Sequence, residues 1–449
     1  MDKNTWSLKN RRFWKEYLYD LIAAEISTTT RFSDECIQVN PQAHDTGLLF
    51  EAIDCRSKRC VNGLSELYED LTKSEKRRSY IFNGNFNYNI DIQEILTGMH
   101  DKISRHSRLF VVIYNPFLNI LYNIASWLKI RQAPKPTVYF TEKNLDTLAK
   151  LSGYSVTRIR PSVFIPFRFP LISNFINKLL PIIPIIRRTS FVWIVVLRPI
   201  KIEITKPSLS IIIPARNEAG NIKNAVQRIP QIPGSDTEII FVEGNSSDDT
   251  WNRIQQELKN PSQTHKMYAY KQPGIGKNDA VRVGFDNATG DLVTILDADL
   301  TMPPEMLPRF YNAYCKGLGD FINGSRLIYP MEDEAMRPLN RLGNLFFCKL
   351  LAWTLDIPIT DSLCGTKLFA LEDYKRMISW RESFGDFDPF GDFEMLFSAS
   401  ELALGVIDIP VQYQARTYGD TNISRFRNGW ELARMTLIGF HRILLGKTK

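Results

Sequence analysis

From Ser208 to Ala298 the chain alternates between two hydrophobic patterns. Short apolar-rich runs, SLSIIIP (Ser208–Pro214), EIIFVE (Glu238–Glu243), KMYAYK (266–271) and DLVTILDA (Asp291–Ala298), predict strands. Between them Asn221–Arg228, Asp249–Leu258 behind the capping-type run NSSDD, and DAVRVGFDNA (279–288) predict helices. Strand–helix alternation with short connections implies a mostly parallel sheet covered by helices on both faces. Residues 31–200 show a similar α/β order, from ECIQVNPQAHDTGLLFEAI through RSYIFNGNFNYNIDIQEIL and RLFVVIYNP to SGYSVTRIRP. These patterns predict an N-terminal extension over residues 1–30, one α/β domain over 31–200 and a second over 206–449.

In such sheets ligands bind beyond the carboxyl ends of the strands. The predicted ends carry Pro214-Ala215-Arg216-Asn217-Glu218, then Glu243-Gly244-Asn245-Ser246-Ser247-Asp248-Asp249, then Asp297-Ala298-Asp299. Two carboxylates one residue apart at the end of a strand can face one ion, and hard cations take carboxylates together with phosphate oxygens. The Asp297/Asp299 pair is therefore read as the anchor of a divalent cation, Mg²⁺ or Mn²⁺, and of a diphosphate. PGIGK (Pro273–Lys277) is not a Walker loop, because Asn278 stands where Ser or Thr is required. Asp392 and Glu394, at the start of a helix within GDFDPFGDFEMLFSA, are candidate bases for deprotonating an acceptor hydroxyl.

Two stretches are amphipathic. RPLNRLGNLFFCKLLAWTLDIP (Arg337–Pro358) sets Leu339, Leu342, Phe346, Leu350 and Trp353 at helical spacing beside Arg337, Arg341 and Lys349, and WELARMTLIGFHRILLGKTK closes the chain with a basic end. Each suits either a membrane interface or an ordinary core. The most apolar stretch, FPLISNFINKLLPIIPII (169–186), holds Lys178 and three prolines and is read as core or as a membrane-surface element, not a spanning helix.

Charge sharpens this picture. Residues 1–200 hold 28 Lys/Arg against 18 Asp/Glu, net +10, while the remainder holds 28 against 31, net −3. Within residues 101–200 only Asp101, Glu142 and Asp146 are acidic, so this half suits anionic headgroups, and no nucleic-acid motif accompanies it. The six cysteines form no CxxC pair and are read as reduced thiols of a cytosolic protein. The first twenty residues lack the apolar region of a signal peptide.

The ordered set IIIPARNE, VEGNSSDDT, GKNDAVRVGF and TILDADL resembles the family 2 glycosyltransferases of GT-A fold, in their dolichyl-phosphate mannosyltransferase-like branch. The resemblance runs from about Lys206 to the C-terminus. It implies a nucleotide-sugar site at Pro214, Ala215, Arg216, Glu218, Glu243, Asp248, Lys277 and Asp297, and a metal at Asp297 and Asp299. Thr301 stands where that branch usually has Gln, which leaves a third metal ligand open. QARTYGDTNISRFRNGW (Gln414–Trp430) matches the family's basic block, so Arg416, with Arg425 second, is expected to clamp the donor diphosphate. TDSLCGTKLF (Thr360–Phe369) occupies the acceptor-loop position and assigns Asp361, Cys364 and Gly365 to the acceptor.

The expectation is metal-dependent inverting transfer from a nucleotide-diphosphate sugar to polyprenyl phosphate, at the cytoplasmic face of a membrane. Transfer to a glycan hydroxyl and a non-catalytic scaffold are the alternatives. The N-terminal half resembles class I methyltransferases, whose first strand ends in a Gly-rich loop holding S-adenosylmethionine. Here that loop, Asn40–Gly47, keeps only Gly47, and Asn62 stands where an acid would hold the ribose hydroxyls. The resemblance therefore implies a degenerate Rossmann-like domain.

Overall fold

The structure, a computed structural model, describes all residues except 1, 2, 44, 71–75, 89, 90, 129–133, 261–263, 331–337, 385–387, 389, 390, 417, 419–424 and 446–449. The chain forms two compact units, one built mainly from Met1–Ile200 and one mainly from Lys201–Gly439.

In the first unit six strands pair in the order β2-β1-β3-β4-β6-β5: β1 Glu35–Val39, β2 Lys58–Val61, β3 Arg78–Asn83, β4 Arg108–Tyr114, β5 Tyr154–Ser162 and β6 Val192–Pro199. The first four run parallel, and β6 is antiparallel to both of its neighbours. β4 and β6 are nearly continuous apolar runs, as central strands covered on both faces must be. Their side chains alternate between two cores. Leu109, Val111, Ile113, Trp193, Val195 and Leu197 enter one, while Phe110, Val112, Ile194 and Val196 enter the other. The second core also takes Ile22, Ala23 and Ile26 from the helix Lys3–Thr30, so the N-terminal residues cover the sheet.

The second unit holds a seven-stranded sheet, order β13-β11-β12-β10-β7-β8-β9. Its strands are β7 Leu209–Ala215, β8 Thr237–Glu243, β9 Lys266–Lys271, β10 Leu292–Ile295, β11 Phe321–Ser325, β12 Lys367–Ala370 and β13 Val406–Pro410. β10, β7, β8 and β9 run parallel, as the apolar pattern predicts. The sheet as a whole is mixed, because β12 runs antiparallel between β10 and β11. β9 alternates between exposed and half-buried positions, which fits its place at the edge. The register sets Ala215 beside Glu243 and Ile295 beside Ile212, so the polar segments after β7, β8 and β10 leave the sheet at the same end.

Lys277–Asp286 is the helix that follows β9. It begins two residues earlier than its apolar pattern implies, after Gly276 in a left-handed φ of 96°. At its far end Gly284 lies against the side chain of Ile212, where an added Cβ would collide. Gly284→Ala should therefore destabilise the second unit by about 1–3 kcal/mol, the usual cost of overpacking, read as a shift of the denaturation midpoint.

Candidate active site

The Asp-Ala-Asp segment turns sharply where β10 ends. Ala298 is buried in the core, and the amide of Leu300, a residue with φ 54°, donates to the Asp297 carbonyl. Asp297 and Asp299 flank that buried residue and lie at the strand end. Thr301 holds one Asp299 oxygen through its amide and hydroxyl, at 3.1 and 2.9 Å. The amide of Gln414 donates to the Thr301 carbonyl, which brings the following segment to the same turn. Arg416 thereby reaches the other Asp299 oxygen at 2.6 Å and stands 3.6 Å from Glu218.

Lys277 opens the helix beside β10, and its ammonium lies 2.5 Å from Asp297. Burial pushes the Asp297 carboxyl up, but Lys277, helped by Lys367 and Arg326, holds it below the usual carboxylate range. Burial depresses the Lys277 ammonium, and Asp297 and Asp392 raise it above its ordinary value. Gly365 packs onto this pair, and a Cβ there would strike both the Asp297 carboxylate and the Lys277 ammonium. Its role is thus close approach of the loop backbone, a constraint that only glycine meets.

Glu218 lies at the first strand end. Burial drives its carboxyl up to about 7 against Asn221 and Arg416, with Asp299 and Asp297 adding to the rise. Three carboxylates thus share one edge with two cations, Lys277 and Arg416. An edge with surplus negative charge and hard oxygen donors fits a divalent cation held by one or two carboxylates and completed by substrate oxygens. Among the described residues no group of three or more His, Cys, Asp or Glu forms a ready-made metal cage.

Other residues singled out in the sequence build the walls. Asn217 and Asn245, in left-handed conformations, end the turns after β7 and β8. Asn217 donates its amide to Ser246 and accepts the amide of Ser247. Asp248 accepts the amides of Ala219 and Thr250, and Glu243 accepts that of Ser246. These two carboxylates are therefore occupied in fixing the loops. Pro214 is half-buried, Ala215 buried and Arg216 exposed at the rim. The side chain of Arg425 lies outside the described residues, as do Arg337, His44 and most of 385–390.

The acceptor-loop residues divide. Asp361 is fully buried and receives Arg326 through two nitrogens at 2.7 and 2.9 Å, together with Asn344 and the Leu363 amide at 3.0 Å. Burial opposes its ionisation, but Arg326 prevails and brings its carboxyl down to about 2. Cys364 sits in the core, and burial pushes its thiol up to about 12. Asp361 and Cys364 thus shape the loop that Gly365 brings against Asp297. Asp392 is paired with the fully buried Lys367 at 2.5 Å, and Glu394 with Arg282 at 2.5 Å and more loosely with Arg381. Sequence reasoning missed Lys367, Arg326 and Arg282. A lysine opening the apolar run KLFA was the one visible signal, since a buried cation requires a carboxylate partner.

In the first unit the loop after β1 closes on itself. Asp45 accepts from Gln38 at 2.7 Å, from Asn83 at 2.9 Å and from the Gly47 amide at 2.9 Å, while Asn85 ties down the Asn40 carbonyl.

The fold and site of the second unit define an α/β domain with acidic and basic side chains gathered at one sheet edge. Residues 210–377 match the model for glycosyl transferase family 2, and the unit contains a family 2 glycosyltransferase domain. The chain is 26% identical over 224 residues to the undecaprenyl-phosphate 4-deoxy-4-formamido-L-arabinose transferase of Enterobacter sp. (strain 638), covering 49% of this chain and 63% of that protein. It is 36% identical over 121 residues to the dolichol-phosphate mannosyltransferase of Pyrococcus furiosus, covering 27% of this chain and 33% of that one. The first of these relatives is thus spanned over less than two thirds of its length. Among solved structures, glucosyl-3-phosphoglycerate synthase from Mycobacterium tuberculosis aligns with a TM-score of 0.39 at 18% identity, over 53% of this chain and 80% of that one.

The Asp361–Arg326 pair makes a pH-dependent contribution to stability. Asp361 titrates near 2 in the fold and near ~3.9 when unfolded, so the contribution is complete above the latter and is lost as pH falls through the former. Thermal midpoints should drop between these values, and less steeply in Asp361→Asn. At neutral pH that substitution leaves Arg326 buried without its charge partner and should cost about 3–5 kcal/mol in a denaturant titration.

Proposed function

We propose that the second unit transfers a sugar from a nucleotide-diphosphate sugar to a polyprenyl phosphate acceptor, with inversion at the anomeric carbon. The observation that carries this reading is the meeting of Asp297 and Asp299 with Lys277 and Arg416 at the carboxyl edge of the parallel strands. The loop Pro214–Glu218 and the loop after Glu243 form the walls against which the nucleotide is proposed to lie. Arg416 is suited to grip diphosphate oxygens, because a guanidinium pairs with them through two nitrogens and neutralises departing charge. Asp297 and Asp299 are the residues that would hold a divalent cation, which when bound supplies Lewis-acid neutralisation of the diphosphate. Lys277 and Arg416, now paired with those carboxylates, are placed to shift toward the phosphates.

The acceptor follows from the state of the candidate bases. Asp392 and Glu394 are engaged by Lys367 and Arg282, so neither is poised to take a proton from a hydroxyl. A phosphate acceptor brings an oxygen that is already anionic and needs little base. The relatives named for transfer to undecaprenyl or dolichol phosphate support the same class. We place the reaction at the cytoplasmic surface of a membrane. No helix among the described residues is long and apolar enough to cross a bilayer. The helix Pro338–Leu355 leaves Leu342 and Phe346 exposed beside Arg341 and buries Cys348, Leu351 and Leu355.

The first unit we read as a degenerate methyltransferase-like domain, supported by the closed Asn40–Gly47 loop, in which Asp45 is consumed by Gln38 and Asn83.

Asp299→Ala should leave the melting temperature nearly unchanged and lower metal-dependent turnover of the nucleotide sugar by ~10²-fold or more, the scale of a lost electrostatic contact to the transition state. Retention of full activity would refute the role given to the carboxylate pair. Screening UDP, GDP and their sugars with Mg²⁺ or Mn²⁺ by thermal shift identifies the donor. Calorimetry of the full chain with S-adenosylmethionine should show no heat of binding, and a micromolar dissociation constant would restore a cofactor role to the first unit.

A further inference from the structure

The helix Ile172–Leu179 in the first unit is built inside out. Ser173 has no exposed surface, and its hydroxyl donates to the Phe167 carbonyl at 2.6 Å. Asn177 accepts the amides of Phe164 and Ile165 at 2.7 and 2.9 Å and donates to Tyr17, whose hydroxyl in turn reaches Asn174 at 3.0 Å. Polar side chains thus fasten this helix to the body of the unit. Its apolar side chains point the other way: Phe175 is 64% exposed, and Ile185 in the turn beyond it is 84% exposed. A second spur repeats the arrangement. In the helix Asn119–Trp127 the buried Tyr122 anchors the base by donating to the Phe191 carbonyl, while Ile120 and Trp127 are 73% and 80% exposed.

The two spurs arise at one end of the sheet. β4 and β6 pair as far as Tyr114 and Val192, and the next residue, Asn115, donates to the carbonyls of Arg188 and Ser190. Water is a poor phase for such faces, because burying apolar surface is favourable. Exposed apolar faces of this kind mark contact surfaces.

The charge around them selects the occupant. No Asp or Glu occurs in residues 102–141 or 147–202, whereas Arg168, Lys178, Arg187 and Arg188 flank the first spur, Ile172–Leu179, with Arg188 lying 3.6 Å from Glu142. A second copy of the chain would set basic against basic. An anionic bilayer matches both features, since its headgroups meet the lysines and arginines while apolar side chains enter the boundary of the acyl region. We infer that these spurs, led by Trp127, Phe175 and Ile185, form a docking surface for anionic phospholipid. The inference deepens only the membrane part of the proposed function, and it assigns the contact to the first unit.

The test is sedimentation of the full chain with phosphatidylcholine vesicles, with and without phosphatidylglycerol. Wild type should bind the anionic vesicles at low salt and release as salt rises. The triple variant Trp127→Ser, Phe175→Ser, Ile185→Ser alters exposed positions. It should keep its melting temperature and its affinity for nucleotide sugar while binding vesicles at least ~tenfold more weakly, the equivalent of one such side chain's burial. Quenching of tryptophan emission by brominated phosphatidylcholine should also fall in Trp127→Phe. If wild type binds and Leu342→Ser/Phe346→Ser loses binding while the triple variant does not, the membrane reading stands and this surface is wrong. If wild type ignores anionic vesicles, or forms a dimer that the triple variant disperses, lipid docking is overturned.

Discussion

The site depends on the contact between Asp297 and Lys277 under the backbone of Gly365. A carboxylate at the end of a central strand loses water, and at a sheet edge crowded with Asp299 and Glu218 it also meets like charge. Lys277 offsets both costs, which is why Asp297 stays ionised although burial works against it. That single pair fixes the beginning of the helix at Lys277, the end of β10 and the approach of the loop before β12. None of these can move without leaving one of the two charges unpaired in a half-buried place.

Around that contact a division of labour can be read from the partners. Asp361, Asp392 and Glu394 are buried carboxylates of the second unit, and each is matched with a cation: Arg326, Lys367 and Arg282. They fix the loop and helix that border the site. Glu218 is different. Burial and its acidic neighbours raise its carboxyl to about 7, and Arg416 stands 3.6 Å away. The unbalanced charge therefore gathers at Glu218, Asp297 and Asp299, where cation and phosphate are proposed to meet, and not at the residues that a search for a general base would select.

β7, β8, β9 and β10 were legible, unlike β11, β12 and β13, because each is a short run closed by turn chemistry, and KMYAYK was legible to the residue as β9. The reversal at β12 was not. KLFA has no feature that distinguishes parallel from antiparallel pairing, and its direction follows from where the chain returns after the acceptor loop. Among the proposed site residues, Asp297 and Asp299 stood out as two carboxylates one residue apart at a strand end, whereas Arg416 was reached only through the family resemblance of its block. The ion pairs of Lys367 and Arg326 could not, since they join segments 25 and 35 residues apart. The roles of Asp248 and Glu243 were also hidden, because a carboxylate that caps a loop and one that faces a ligand have the same sequence signature.

The first unit shows how physical cost separates two kinds of departure from an ordinary fold. Closing the loop after β1 is cheap: Asp45 finds three donors, and the loop gains hydrogen bonds. Turning a helix inside out is expensive, because holding Ser173 and Asn177 against the body of the unit demands a dedicated set of partners while Phe175 and Ile185 remain in water. The first departure needs no function to explain it. The second persists only against a steady free-energy cost, which an apolar phase bounded by negative charge would remove. The inverted helix is for that reason the stronger pointer to what the first unit does.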